Sequence, residues 1–121
     1  MTNNSETELV KTIIEAIREK KGKDISHVDL STLDLSTVSD FVICSAGSTS
    51  QVSAIADSVR EYVESHLGLR PYNYDGYANS IWIVIDYGSV MVHIFTPETR
   101  TFYNLEDLWL DATITEIPNL D

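Results

Sequence analysis

Three histidines, one cysteine and a Gly-Ser-Thr-Ser loop are the residues of this chain whose types could support catalysis or metal binding. Metal sites draw His, Cys or carboxylate ligands from clustered spacings, and His27, His66 and His93 are scattered. Cys44 ends the apolar run Phe41-Val42-Ile43-Cys44 and reads as a buried structural thiol rather than a reactive one. Ala46-Gly47-Ser48-Thr49-Ser50 falls between a predicted strand and a predicted helix, where free backbone N–H groups can bind an anion. The lysine of a phosphate loop and the G-x-G-x-x-G pattern are both missing, and Ser48 or Thr49 as a helix cap accounts for the stretch. A Gly-Ser after a strand also opens nucleotidyltransferase sites, which need paired acids on an adjacent strand to hold magnesium. Asp29, Asp40, Asp57 and Asp86 are single acids, and no D-x-D pair follows the loop. No metal site, cofactor or catalytic residue is therefore expected. A nucleotidyltransferase-like enzyme with a weak metal or nucleotide site near Ser48 is the alternative reading.

The run Ser80 to Phe95 (SIWIVIDYGSVMVHIF) points instead to a binding surface. It predicts two strands joined by a tight turn at Tyr87-Gly88. Side chains alternate across a strand, so the run sorts onto two faces. One face holds Ile81, Ile83, Ile85, Val90, Val92 and Ile94, a uniform aliphatic surface for a core. The other holds Trp82, Val84, Asp86, Ser89, Met91 and His93, the mixture of indole, thioether, imidazole and carboxylate found where proteins meet. Asp86 also suits the ordering of the turn.

The remaining elements must position that hairpin. Leu9, Val10, Ile13, Ile14 and Ile17 recur at helical spacing after the capping-box pattern Ser5 to Glu8, predicting a helix over about 6–21. A strand is expected over Ile25 to Leu30, and a strand buried on both sides over Asp40 to Ser45, after a polar connection from Asp34 to Ser39. A second helix follows over about 50–67, with Val52, Ile55, Ala56, Val59, Val63 and Leu67 as its buried stripe. A short strand near Tyr72 to Tyr74 would make Phe41 to Tyr74 a strand–helix–strand crossover with parallel strands. Thr96-Pro97-Glu98 opens a short helical segment. Trp109 shares helical phase with Leu105 and is expected in the core, while Glu106, Asp107 and Asp111 form a solvated acidic face or a patch for a basic partner. The expected fold class is α/β (α+β-like), a mixed four- or five-stranded sheet with helices mainly on one face. The domain runs over 1–112, with an acidic tail over 113–121 that is loose beyond Ile117.

The 121 residues suit one domain with an ordinary core. One cysteine excludes an internal disulfide. No apolar stretch reaches the roughly 20 residues of a membrane span, and the polar N-terminus is unlike a signal peptide, so a cytoplasmic location is expected. The formal charge is −11, unevenly spread, since residues 71–121 hold eight acids and one base, Arg100. Direct nucleic-acid binding is disfavoured, because it rests on Lys and Arg displacing counterions. A basic protein partner fits, with charge attraction speeding the encounter.

Taken together, Asp75, Gly76, Trp82, Asp86, Gly88, Val92, His93, Arg100, Tyr103, Leu105, Glu106, Leu108 and Trp109 form an acid-Gly, W-x-x-x-D-x-G-x-x-x-V-H, R-x-x-Y-x-L-E-x-L-W pattern. This pattern resembles the ribosomal silencing factor (Iojap-like) family, and Val38 to Asp57 resembles that family's strand–loop–helix. Ser89 departs from it, standing where an acid is common. The resemblance implies a fold related to nucleotidyltransferases without their catalytic acids. It also implies a non-enzymatic repressor of translation. Such a factor binds the large ribosomal subunit through ribosomal protein number fourteen of its series and blocks subunit joining. Homodimers are a further implied property. The expected partner-binding residues are Asp75, Trp82, Asp86, Met91, His93, Tyr103 and Glu106.

Overall fold

The computed structural model describes residues 3–31, 38–108 and 112–119. Trp109, Asp111 and most of the connection from Asp34 to Ser39 lie outside them. The chain order is α1 (Asn3–Glu19), β1 (Lys23–Asp29), β2 (Asp40–Ser45), α2 (Thr49–Leu67), β3 (Asn73–Asp75), β4 (Trp82–Asp86), β5 (Val90–Phe95), α3 (Pro97–Tyr103), α4 (Leu105–Leu108) and β6 (Thr113–Ile117). The strands form one mixed sheet in the order β3-β4-β5-β2-β1-β6.

The sheet has six strands rather than four or five. The additional one comes from the expected tail: β6 pairs antiparallel with β1, setting Ile117 opposite Ile25 and Ile114 opposite Val28. β2 pairs in parallel with β5, not with β3. β3 lies at the far edge, antiparallel to β4, so two strands separate the ends of the expected crossover. α1 starts at Asn3, which places Ser5 inside the helix rather than at its cap.

α1 and α2 pack on each other and on one sheet face. Ile13, Ile17, Ile55 and Val59 meet Val42, Ile83, Val92 and Ile94 there, all fully buried. Each such side chain contributes roughly 1.5–3 kcal/mol. Ser58 Oγ ties the helices together by donating to the Ala16 carbonyl at 3.0 Å. Gln51 does the same at their ends, donating to the carbonyls of Lys20 and Lys21 while accepting from Gly47 N–H. Cys44 sits in this core, where burial pushes its thiol up to about 12, so it is inert at neutral pH.

The hairpin turns one residue later than predicted. Tyr87 N–H bonds to Val90 O at 2.9 Å, so Gly88 and Ser89 form the loop, with Gly88 at φ +91. Glycine takes this backbone region without strain, and a two-residue hairpin wants it in the first loop position. The pairs become Asp86–Met91, Ile85–Val92, Val84–His93, Ile83–Ile94 and Trp82–Phe95. Each β4 residue meets a partner two places further along β5, so every side chain keeps its face. Ile81 is the exception to the aliphatic face. Ser80, at φ +55, breaks the strand before it, and Ile81 is 43% exposed.

Gly76 sets the other end of β4. At φ +107, it leaves room where a Cβ would stand 2.1 Å from the Trp82 carbonyl oxygen and 3.0 Å from Ile83 Cα. Gly76→Ala is expected to lower stability by about 3 kcal/mol, combining backbone strain and overpacking. Urea unfolding measures this, and a midpoint equal to wild type would show that β3 and β4 can separate freely.

Candidate functional site

The second sheet face carries the mixed residues in continuous rows. One row runs Asn73, Asp86, Met91, Phe41 and Val28 from β3 to β1. The next runs Asp75, Val84, His93, Ile43 and Ser26. The third begins with Trp82, Phe95 and Ser45. Strand alternation alone places these side chains together.

The short arm α3–α4 lies across part of this face. Leu105 packs against a small second core of Val28, Leu30, Ile43 and Phe95. Pro97 occupies the first turn of α3 and Thr96 its N-cap position. The Tyr103 ring sits 4.7 Å from the Trp82 ring, and Trp82 stacks on Phe95 at 4.9 Å. The half-face nearest β3 is left accessible: Asn73 and Asp75 are exposed, and Val84, Asp86, Met91 and Trp82 are half-buried. It holds two carboxylates. Asp86 spends one oxygen on the turn N–H of Gly88 at 2.7 Å, and Asp75 one on Gly76 N–H at 2.8 Å.

Thus Asp75, Trp82, Asp86, Met91 and Tyr103 gather on one surface. His93 and Glu106 stand apart from that surface, His93 by burial and Glu106 by its partners. His93 is only 5% exposed, enclosed by Phe41, Trp82 and Phe95. Its Nδ1 accepts a hydrogen bond from Trp82 Nε1–H at 3.2 Å, so it braces the indole from below. Burial lowers its pKa to about 4, and the ring is neutral at pH 7 with its proton on Nε2. Glu106 is engaged inside the protein by Arg100 at 2.6 Å and by Ser26 Oγ at 2.9 Å. Burial raises its pKa, but the hydrogen bonds from Arg100 and Ser26 and the charge of Arg100 outweigh this, leaving the carboxyl below its usual range. Alternation gives the face of His93 but not the rings that close over it, and the acidic pattern around Glu106 does not reveal its partners in Arg100 and Ser26.

The arm adds residues that sequence reasoning passed over. Phe102 is 79% exposed and Leu108 69%, and the Phe102 ring meets Tyr103 edge-on at 5.0 Å. The sequence does not separate them from Leu105, another apolar residue of the segment, which the fold packs inward. On the opposite face, Arg60 stacks 3.9 Å over the Tyr74 ring and donates to Tyr77 Oη, an arrangement that braces β3 against α2.

The loop before α2 is occupied by capping. Ser48 Oγ accepts from Gln51 N–H at 3.1 Å, as an N-cap does. No group of three or more His, Cys or acidic residues among those described could hold a metal ion. No described helix is long and apolar enough to cross a membrane.

Comparison with known proteins places this architecture. The family described as "Ribosomal silencing factor during starvation" matches residues 3–121. A relative named ribosomal silencing factor RsfS in Halalkalibacterium halodurans is 35% identical over 114 residues, covering 93% of this chain and 95% of that protein. One of the same name in Bacillus subtilis is 33% identical over 110 residues, covering 90% and 91%. The crystal structure of a Chromobacterium violaceum protein superposes with a TM-score of 0.81 at 34% identity, covering 85% of this chain and 84% of the other. The chain belongs to the ribosomal silencing factor family.

Proposed function

We propose that this protein represses translation without catalysis, by docking on the large ribosomal subunit and obstructing its union with the small one. The half-open face around Trp82 supports this reading most directly. It offers an aromatic anchor stacked on Phe95 and met at a tilt by Tyr103, with the carboxylates of Asp75 and Asp86 on the same half-face. A few well-placed anchors supply most of an interface's energy. The carboxylates and the net acidity of the C-terminal half suit a cationic surface, as ribosomal proteins present. The partner proposed is ribosomal protein number fourteen of the large-subunit series, at the intersubunit side. Ser48, which the enzymatic reading joined to scattered acids, is already engaged as the cap of α2.

Tagged protein passed through a ribosome-containing lysate should retain large subunits and leave small subunits behind. Added in excess to purified subunits, it should lower the yield of joined ribosomes on a sucrose gradient. Retention of both subunits alike, or unchanged joining, would end the occlusion reading.

A further inference from the structure

The α3–α4 arm has no fully buried residue of its own, yet it holds Tyr103 against Trp82. Its main polar tie is Arg100. The guanidinium uses all five of its N–H donors. Nη1 donates to the Asp24 carbonyl at 2.6 Å and to Ser45 Oγ at 2.9 Å. Nη2 donates to Ser26 Oγ at 3.1 Å and to Glu106 Oε2 at 2.6 Å, and Nε donates to Glu106 Oε1 at 3.4 Å. Ser26 closes the ring by donating to Glu106 Oε2.

The seat for this fork is built into the sheet. Lys23 pairs with Ser45 but Ser26 pairs with Ile43, so β1 carries one extra residue there. Such a bulge re-aims the groups around it. Asp24 lies within it at φ +52, a conformation unusual for a residue with a side chain. Its carbonyl is the one Arg100 takes.

We infer that Arg100 is a positioning residue for the docking face: it fastens the α3–α4 arm to the β1 bulge, so that Tyr103 closes over Trp82. Lysine replaces it only in part, having three donors on a point charge where the seat fits a planar fork. The inference deepens the proposed docking function, and its structural half stands independently of that function.

Hydrogen exchange read by peptide separates the two. In Arg100→Met, amides of 97–108 should exchange about tenfold faster or more, since hydrogen bonds to charged groups hold a segment that strongly. Amides of β2 and β5 should change little. Arg100→Lys should recover part of the protection. Glu106→Gln, which keeps the size and every strand contact, should loosen the same peptide and serves if Arg100→Met does not fold. Unchanged protection of the arm, or faster exchange spread evenly over the sheet, would overturn the positioning role. Retention on large subunits should weaken in parallel with arm exchange. An arm that opens with no loss of retention would leave Arg100 as its fastener and remove this face from the docking reading.

Discussion

Acidification from pH 6.5 to 4 will take about 3 kcal/mol from the folded state through His93 alone. The unfolded chain binds a proton near 6.5, whereas burial delays protonation of the native ring until about 4. Between those values the unfolded state carries more protons, so stability falls as pH falls. Above 6.5 both states are neutral and the full contribution is present; below 4 both are protonated and nothing further is lost. The geometry gives a second reason for the same sign. Nδ1 is the acceptor for Trp82 Nε1–H, and a proton placed there would set two donors facing each other. Urea midpoints measured from pH 7 to 4.5 should show the slope. His93→Gln, whose side-chain oxygen can still accept from the indole, should flatten it. Equal slopes for the two proteins would mean that the imidazole is not held neutral by the fold. Glu106 acts in the same direction but lower, because a depressed carboxyl loses its contribution only as pH drops through its own native value.

What was legible in the sequence was local, and what was missed depended on long-range packing. Asp40 to Ser45 was readable as a central strand because the apolar run Phe41 to Cys44 suits burial on both sides, and β2 takes those bounds. The two faces of the hairpin survived a wrong turn because a shift of two preserves alternation. The turn itself depended on whether Gly88 takes the first or second loop position, which apolar periodicity does not decide. β6 was missed for a different reason. Thr113 to Ile117 is rich in β-branched residues, as strands are, but the run is short and lies in an acidic segment, and its partner β1 lies about 90 residues earlier. The same distance hid the Arg100 network, which joins residues 24, 26 and 45 to residue 106. Pattern reading placed Glu106 and Arg100 on one segment. It could not show that a bulge in β1 would receive them, nor that Phe41, Trp82 and Phe95 would enclose His93 while Trp82 stayed half-open.

Trp82→Ala should weaken retention on large subunits by about 30-fold, the equivalent of about 2 kcal/mol expected for an aromatic anchor at the centre of an interface. The indole combines the properties such a position needs. It is rigid, being stacked on Phe95, met by Tyr103 and bonded to His93, so little side-chain entropy remains to be lost on docking. Its half-exposed ring is flanked by Tyr103, which in turn packs edge-on against the exposed Phe102. Truncation also removes packing from the small second core, so binding must be compared at a temperature where both proteins are folded. Trp82→Phe supplies the control. It keeps an aromatic ring for Phe95 and Tyr103 but loses the N–H to His93, and should restore most of the retention. Asp75→Asn and Asp86→Asn should behave differently, slowing association and reducing its salt dependence while leaving dissociation nearly unchanged, as charges at the rim of an interface do. A Trp82→Ala protein that folds, keeps its arm protected and is retained as wild type would rule out the indole as anchor. Contact would then have to be sought among the exposed side chains of the arm itself, with Phe102 and Leu108 first.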